Sequence, residues 1–193
     1  MTPLPFVWPY ALPYWAFIVW GFWPEFKIVR RARRFVSRAD AKSMQVILLG
    51  NAIAFLGAYP LAFVPALQFR AYRVEIFLLG FALMISGALL RRHCWRMLGA
   101  SFTGDVRASA DQQVITRGAY ALLRHPSYSA AILVNTGVGF ALGSWASTIL
   151  IAGVSFAVYS YRIAVEERAL LAEIGEPYRQ FARTRRRLIP FIY

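Results

Sequence analysis

The sequence predicts an all-α integral membrane protein of about five transmembrane helices, the last two forming a tight helical hairpin, with helices on the membrane surface at the C-terminal end. Three observations carry this prediction. The 193 residues are 59% hydrophobic and only 16% charged, with mean hydropathy +0.47, whereas a soluble domain averages roughly 45–50% apolar and 25% charged. Uncharged stretches of membrane-spanning length recur along the chain. The basic residues gather between alternate stretches instead of spreading evenly.

Residues 1–24 hold no charge, and Trp8, Tyr10, Tyr14, Trp15, Trp20 and Trp23 are of the kind that anchor at both membrane interfaces. Pro3, Pro5 and Pro9 set the start of a first helix near Tyr10, and the pattern carries it to Ile28. The opening residues lack the basic start of a signal peptide, so this segment is expected to be retained as a span. A basic stretch from Lys27 to Lys42 reads as a solvated cytoplasmic loop.

Ser43 to Phe69 is a second uncharged run of 27 residues, ample for one span. A third, Ile76 to Leu90, has 15 residues and spans only if Glu75 and Arg91 snorkel. A polar, glycine-bearing loop from Gly99 to Arg117 follows, and loops of that length tend to carry function. From Pro126 to Tyr161 no residue is charged across 36 positions. A single helix of that length would measure about 54 Å against a hydrocarbon core of about 30 Å, so the run folds in two. Gly143-Ser144 divides it evenly, and Gly137, Gly139, Ala152 and Gly153 suit close approach of the two halves. In the tail, Leu170, Leu171, Ile174, Tyr178 and Phe181 make an apolar stripe that Gly175 and Pro177 break into two short helices. These read as surface helices, with Leu188–Tyr193 dipping back toward the bilayer.

Alternating the loops between sides places twenty Lys and Arg on one side and two, Arg70 and Arg73, on the other. That bias predicts an outside N-terminus, with the Arg117–Tyr128 stretch and the C-terminus cytoplasmic. The net charge of +13 is then explained by anionic membrane lipids, which argues against a nucleic-acid partner. One cysteine, Cys94, and two histidines, His93 and His125, supply a metal site poorly, so no metal is expected. The chain divides into residues 1–98, three N-terminal spans, and residues 99–193, which hold the polar chemistry.

That chemistry lies at the two ends of the 36-residue run. R-H-P-S-Y at 124–128 precedes it, and Y-R-I-A-V-E-E-R at 161–168 closes it. A hairpin brings these ends together. Arg162 and Glu166 share a helix face, in the order less favourable to helix stability. Adjacent carboxylates, Glu166 and Glu167, are costly beside a bilayer unless paired. Arg124, Arg162, His125, Tyr120, Tyr128 and the two glutamates suit a zwitterionic ligand with a ribose, a base and an amino-acid end. They equally suit a polar cap sealing the hairpin.

G-A-Y-x-x-x-R-H-P-S-Y at 118–128, followed by E-E-x-x-L-x-x-x-x-G-x-x-Y-x-x-F from Glu166 and a terminal L-I-P, resembles the isoprenylcysteine carboxyl methyltransferase family. That family is related to the phospholipid methyltransferases, and the resemblance runs from about Trp95 to Pro190. It implies S-adenosyl-L-methionine as methyl donor, S-adenosyl-L-homocysteine as product, and a lipophilic, prenyl- or lipid-like acceptor arriving from the bilayer. Matched position by position, it implies cofactor contacts at Gln112, Gln113, Val114, Ile115, Tyr120, His125, Pro126, Ser127, Tyr128, Glu166 and Glu167. It puts a substrate-associated arginine at Arg162, with Arg124 holding substrate or the cofactor's carboxylate. An upstream polar contact falls on Asp105 or Arg107. The expected reaction is methyl transfer to a carboxylate or other lipid-like acceptor. The alternatives are amine or phospholipid N-methylation, or an inactive relative serving assembly or transport. A reductase of the related sterol type needs a larger membrane domain than this chain provides.

Overall fold

A computed structural model describes residues 1–32, 42–99 and 114–189. The described residues hold six α-helices: α1 (Ala11–Ala32), α2 (Ser43–Leu61), α3 (Arg73–Leu98), α4 (Pro126–Ala141), α5 (Trp145–Glu173) and α6 (Glu176–Thr184). By length and apolar composition α2, α3 and α5 are able to cross a membrane, and α1 contributes a shorter apolar segment, Ala11–Trp23. Among the described residues β-structure is confined to two isolated bridges, Gln68 with Ser144 and Leu123 with Arg186.

The N-terminal prolines act as anticipated. A 3-10 turn at Leu4–Phe6 precedes α1, and the Trp15 indole donates to the Pro5 carbonyl at 2.9 Å, pinning the turn to the helix. α2 is shorter than its apolar run, because prolines close it: Pro60 falls in its last turn, and Pro65 opens a 3-10 turn at Pro65–Leu67. α3 is longer than its apolar run. Arginine is a good helix former, so Arg91, Arg92 and Arg96 continue the helix to Leu98, and Gly99, at φ 52°, ends it. Arg91 and Arg92 send their heads to the carbonyls of Ser127, at 2.7 Å, and Trp20, at 2.9 Å.

The hairpin turns where the sequence divides. Pro126 opens α4, Gly143 takes φ 72°, and the Ser144 hydroxyl caps α5 by accepting from the Ser147 amide at 3.2 Å. The small residues are used differently from expectation. Gly137 faces α3 rather than α5: a Cβ there would lie 2.6 Å from the Gly80 carbonyl and 2.9 Å from the Met84 amide. Gly139 does face α5, with a Cβ meeting the Thr148 Cα at 2.5 Å, while Gly153 has open space beside it. α3 therefore packs against α4 more extensively than α5 does.

Polar side chains join the helices inside the apolar bundle. Asn135 donates to Asn51 at 3.1 Å and to Ser155 at 2.9 Å, linking α2, α4 and α5. The expected two short tail helices become one: residues 166–173 continue α5, and the break comes only at Gly175, at φ 70°. α6 then buries its apolar stripe, Tyr178 and Phe181, against Leu170, Ile174 and Val114. Residues 190–193, expected to dip toward the bilayer, lie outside the described residues.

Candidate functional site

A 3-10 turn at Gly118–Ala121, the start of α4 and the last turns of α5 converge at one end of the hairpin. Gly118 sits at φ 58° against Met97, whose sulfur would lie 2.6 Å from a Cβ, so the turn that delivers Tyr120 needs a glycine. Tyr120 is buried, and desolvation, with Cys94, Glu166 and Tyr128 nearby, pushes its hydroxyl well above the ordinary tyrosine range. It is a neutral phenol at any physiological pH.

The two glutamates separate. Glu167 is buried and fully engaged: Arg124 Nη1 lies 2.6 Å and His125 Nε2 3.2 Å from Oε1, while Arg187 Nη2 and Nε reach Oε2 at 2.9 and 3.1 Å. Glu166 keeps a side chain 30% exposed and accepts from the Tyr128 hydroxyl at 2.6 Å, with His125 Nδ1 4.0 Å away. The imidazole is thus flanked by a carboxylate on each nitrogen. Tyr128 lies parallel to the His125 ring, centroids 5.7 Å apart, and to Tyr159, at 5.3 Å, extending a layer of rings from the polar cluster into the bundle.

Arg162 is 3% exposed. Its Nη1 donates to the Ser43 hydroxyl at 2.6 Å and its Nε to the Tyr128 hydroxyl at 3.3 Å. Arg162 and Glu166 share a helix face as the spacing predicts, and Tyr128 stands between them as acceptor from one and donor to the other. Pro126 and Ser127 are buried at the first turn of α4, where Arg91 binds the Ser127 carbonyl and, at 3.3 Å, its hydroxyl. Val114 and Ile115 are half-buried, Val114 against the Leu170–Tyr178–Phe181 cluster. Gln112, Gln113, Asp105 and Arg107 lie outside the described residues.

The residues that sequence reading left unassigned here are Ser43, Arg91 and Arg187. No local signal marks them: each comes from a different part of the chain and reaches the cluster only through packing. Of the buried polar atoms without a hydrogen-bond partner among the described residues, two lie here, Arg124 Nε and the Tyr178 hydroxyl. Desolvation, with the adjacent Glu167 and Glu166 charges, also raises the Tyr178 hydroxyl above its usual range. Buried orphans of this kind call for a ligand or further chain.

Fold and site together define a multi-span helical membrane protein with a charged, ring-lined site at one end of its last hairpin. Residues 78–172 match the isoprenylcysteine carboxyl methyltransferase (ICMT) family. Among curated proteins, the protein-S-isoprenylcysteine O-methyltransferase of Schizosaccharomyces pombe is 34% identical over 55% of this chain and 46% of its own length. The Arabidopsis thaliana protein-S-isoprenylcysteine O-methyltransferase B is 30% identical over 58% of each chain. The structure of the eukaryotic intramembrane Ras methyltransferase ICMT superposes with a TM-score of 0.65 at 28% identity, covering 73% of this chain and 52% of that one. The likeness to the isoprenylcysteine carboxyl methyltransferase family lies in residues 78–172, just under half of the chain. The chain spans 46% and 58% of the length of these two curated relatives.

Proposed function

We propose that this chain is an integral membrane methyltransferase that uses S-adenosyl-L-methionine and methylates a lipophilic acceptor, a prenylcysteine-type carboxylate being the class its relatives' names favour. The observation that carries the reading is the convergence of Tyr120, His125, Tyr128 and Glu166 with Arg162 at the mouth of the hairpin. The donor set fits the cofactor. Glu166, still partly exposed, is an acceptor for ribose hydroxyls or an ammonium, Arg124 Nε is an unused donor for a carboxylate, and the phenols and imidazole offer flat faces for an adenine. Gln112–Ile115, Pro126 and Ser127 complete the set by family position, and Glu167 acts by holding Arg124 and His125 in place.

When bound, the cofactor supplies an activated methyl group on a sulfonium and departs as the neutral thioether S-adenosyl-L-homocysteine. The protein's task is alignment and exclusion of water. A carboxylate acceptor is already nucleophilic and needs no general base, which suits a site whose buried carboxylate, Glu167, has both oxygens taken up in hydrogen bonds. Arg162, one residue layer deeper than Glu166, is placed to orient such a carboxylate through its charge. Residues 1–98 supply the acceptor's path from the lipid, and residues 99–193 the cofactor core. The twenty-to-two charge asymmetry orients the site toward the cytoplasm.

Calorimetric titration of the detergent-solubilised protein with S-adenosyl-L-homocysteine tests the cofactor, and absence of binding rejects the reading. Incubation with labelled S-adenosyl-L-methionine and an S-farnesylated N-acetylcysteine tests the acceptor, against an amine-headgroup phospholipid as competitor. Arg162→Lys, which keeps the charge but not the fork, is expected to raise the acceptor KM or lower kcat about tenfold with homocysteine-product affinity nearly intact. Loss of that affinity instead removes Arg162 from the acceptor side.

A further inference from the structure

The C-terminal segment after α6 runs back along the site. The Arg124 amide donates to the Arg186 carbonyl at 2.8 Å and the His125 amide to the Arg187 carbonyl at 3.0 Å. The Ser129 hydroxyl donates to the Leu188 carbonyl at 2.6 Å, and Leu188 is itself buried. These bonds fix the backbone of the two residues that open the R-H-P-S-Y stretch. A side chain from the same segment fixes the carboxylate that both of them contact, since Arg187 holds Glu167 Oε2 while Arg124 and His125 hold Oε1. α6, one step earlier, packs on Val114 beside the Gly118–Ala121 turn.

We propose that Arg185–Ile189 is a strap that assembles the site and that Arg187 is its positioning residue, acting on His125 and Arg124 through Glu167. With Oε2 anchored by two N–H donors of one guanidinium, the carboxylate cannot rotate about its last bond. Oε1 therefore stays where it can receive both Arg124 Nη1 and His125 Nε2. The Nε2–H donated to Oε1 sets the imidazole plane, and with it the ring stacked on Tyr128. Remove the fork, and Glu167 retains Arg124 and His125 as neighbours but loses the constraint that shares one oxygen between them. The ring and the Arg124 head, rather than the hairpin, then become mobile. This rests on the cofactor reading only for its consequence; the strap itself is a statement about the protein alone.

The experiment has two arms on the same set of detergent-solubilised proteins: wild type, Arg187→Ala, Arg187→Lys, Glu167→Gln and the Arg187→Ala/Glu167→Gln pair. The first arm is amide hydrogen exchange, without ligand, across residues 123–129. Faster exchange at Arg124 and His125 in Arg187→Ala, with the rest of α4 unchanged, is expected. Unchanged exchange at these two amides overturns the strap. The second arm is affinity for S-adenosyl-L-homocysteine. Arg187→Ala is expected to weaken it about tenfold, the size of one charged hydrogen bond, with Arg187→Lys intermediate. The double variant is expected to be no weaker than the weaker single variant. Additive losses mean that Arg187 does not act through Glu167, and a lowered melting temperature with unaltered affinity reduces it to a stability contact. Failure of the wild type to bind rejects the cofactor reading, and the exchange arm still decides the strap.

Discussion

Glu166 and Glu167 are adjacent in the chain, yet the helix turn sends them into different surroundings. Glu167 meets Arg124, His125 and Arg187, and Glu166 meets Tyr128 while keeping a face open. Removing the Glu167 charge takes the shared carboxylate from the half-buried Arg124 and Arg187, so Glu167→Gln is expected to lower unfolding free energy by about 1–3 kcal/mol, read from denaturation in detergent. Glu166→Gln, at a site still partly open, is expected to change stability little and to weaken S-adenosyl-L-homocysteine binding about tenfold, read by calorimetry. Tyr128→Phe deletes the hydroxyl between Arg162 and Glu166 and is expected to cost about 1–3 kcal/mol of stability, since the buried Arg162 loses an acceptor where water is scarce. The pairing of R-H-P-S-Y with E-E was legible in the sequence because both sit at the ends of one apolar run. The division of labour within E-E was not, because it depends on three partners that local spacing does not reveal.

Among the elements, the hairpin and its Gly143 turn follow directly from run length and bilayer thickness. The ends of α2 and α3 do not follow from hydrophobicity alone. Prolines shorten one, and arginines, whose heads find carbonyl acceptors on α1 and α4, lengthen the other. Gly137 and Gly139 were legible as contact points, though not that Gly137 meets α3; Gly153 meets nothing, and Gly80 and Gly87 on α3 were not singled out. Gly80 faces the Ala141 amide, 2.4 Å from where a Cβ would stand, and Gly87 faces the Ala130 carbonyl at 2.8 Å. Backbone cannot yield as a flexible side chain can, so Gly80→Ala is expected to push α3 from α4 and destabilise by about 1–3 kcal/mol. Gly153→Ala, into open space on α5, is expected to be neutral or slightly stabilising, because alanine is the better helix former. Thermal unfolding of the two variants side by side checks the contrast.

At the scale of the molecule, membrane orientation is where charge and fold must agree. Thr2 and Arg183 are both exposed, near opposite ends of the chain. In a Cys94→Ala background, Thr2→Cys is expected to react with an impermeant maleimide from the outer face and Arg183→Cys only from the cytoplasmic face. Equal labelling of both from one side reverses the positive-inside reading. The family match covers residues 78–172, so α1 and α2 stand outside it. α2 nevertheless reaches the site, since Ser43 at its start holds Arg162, and α1 is tied to α3, where Arg92 rests over the Trp20 ring 3.4 Å from its centroid. Acceptor selection is expected to depend on these early helices, and exchange of residues 1–61 with a relative's equivalent should alter acceptor preference while leaving homocysteine-product affinity within a few fold.

The membrane class, the hairpin and the polar residues at its mouth can be read from the residues in order. Each is a consequence of something local: a run too long for one crossing, a charge density too low for water, a motif of fixed spacing. Which glycine meets which helix, and which glutamate is taken up by arginines, came from the packing. It also decided that Ser43, Arg91 and Arg187 complete a cluster whose named members lie between 120 and 167. Those outcomes hang on distances between residues far apart in the chain, set by how closely glycine-bearing backbones pack and by where a returning tail finds unpaired amides.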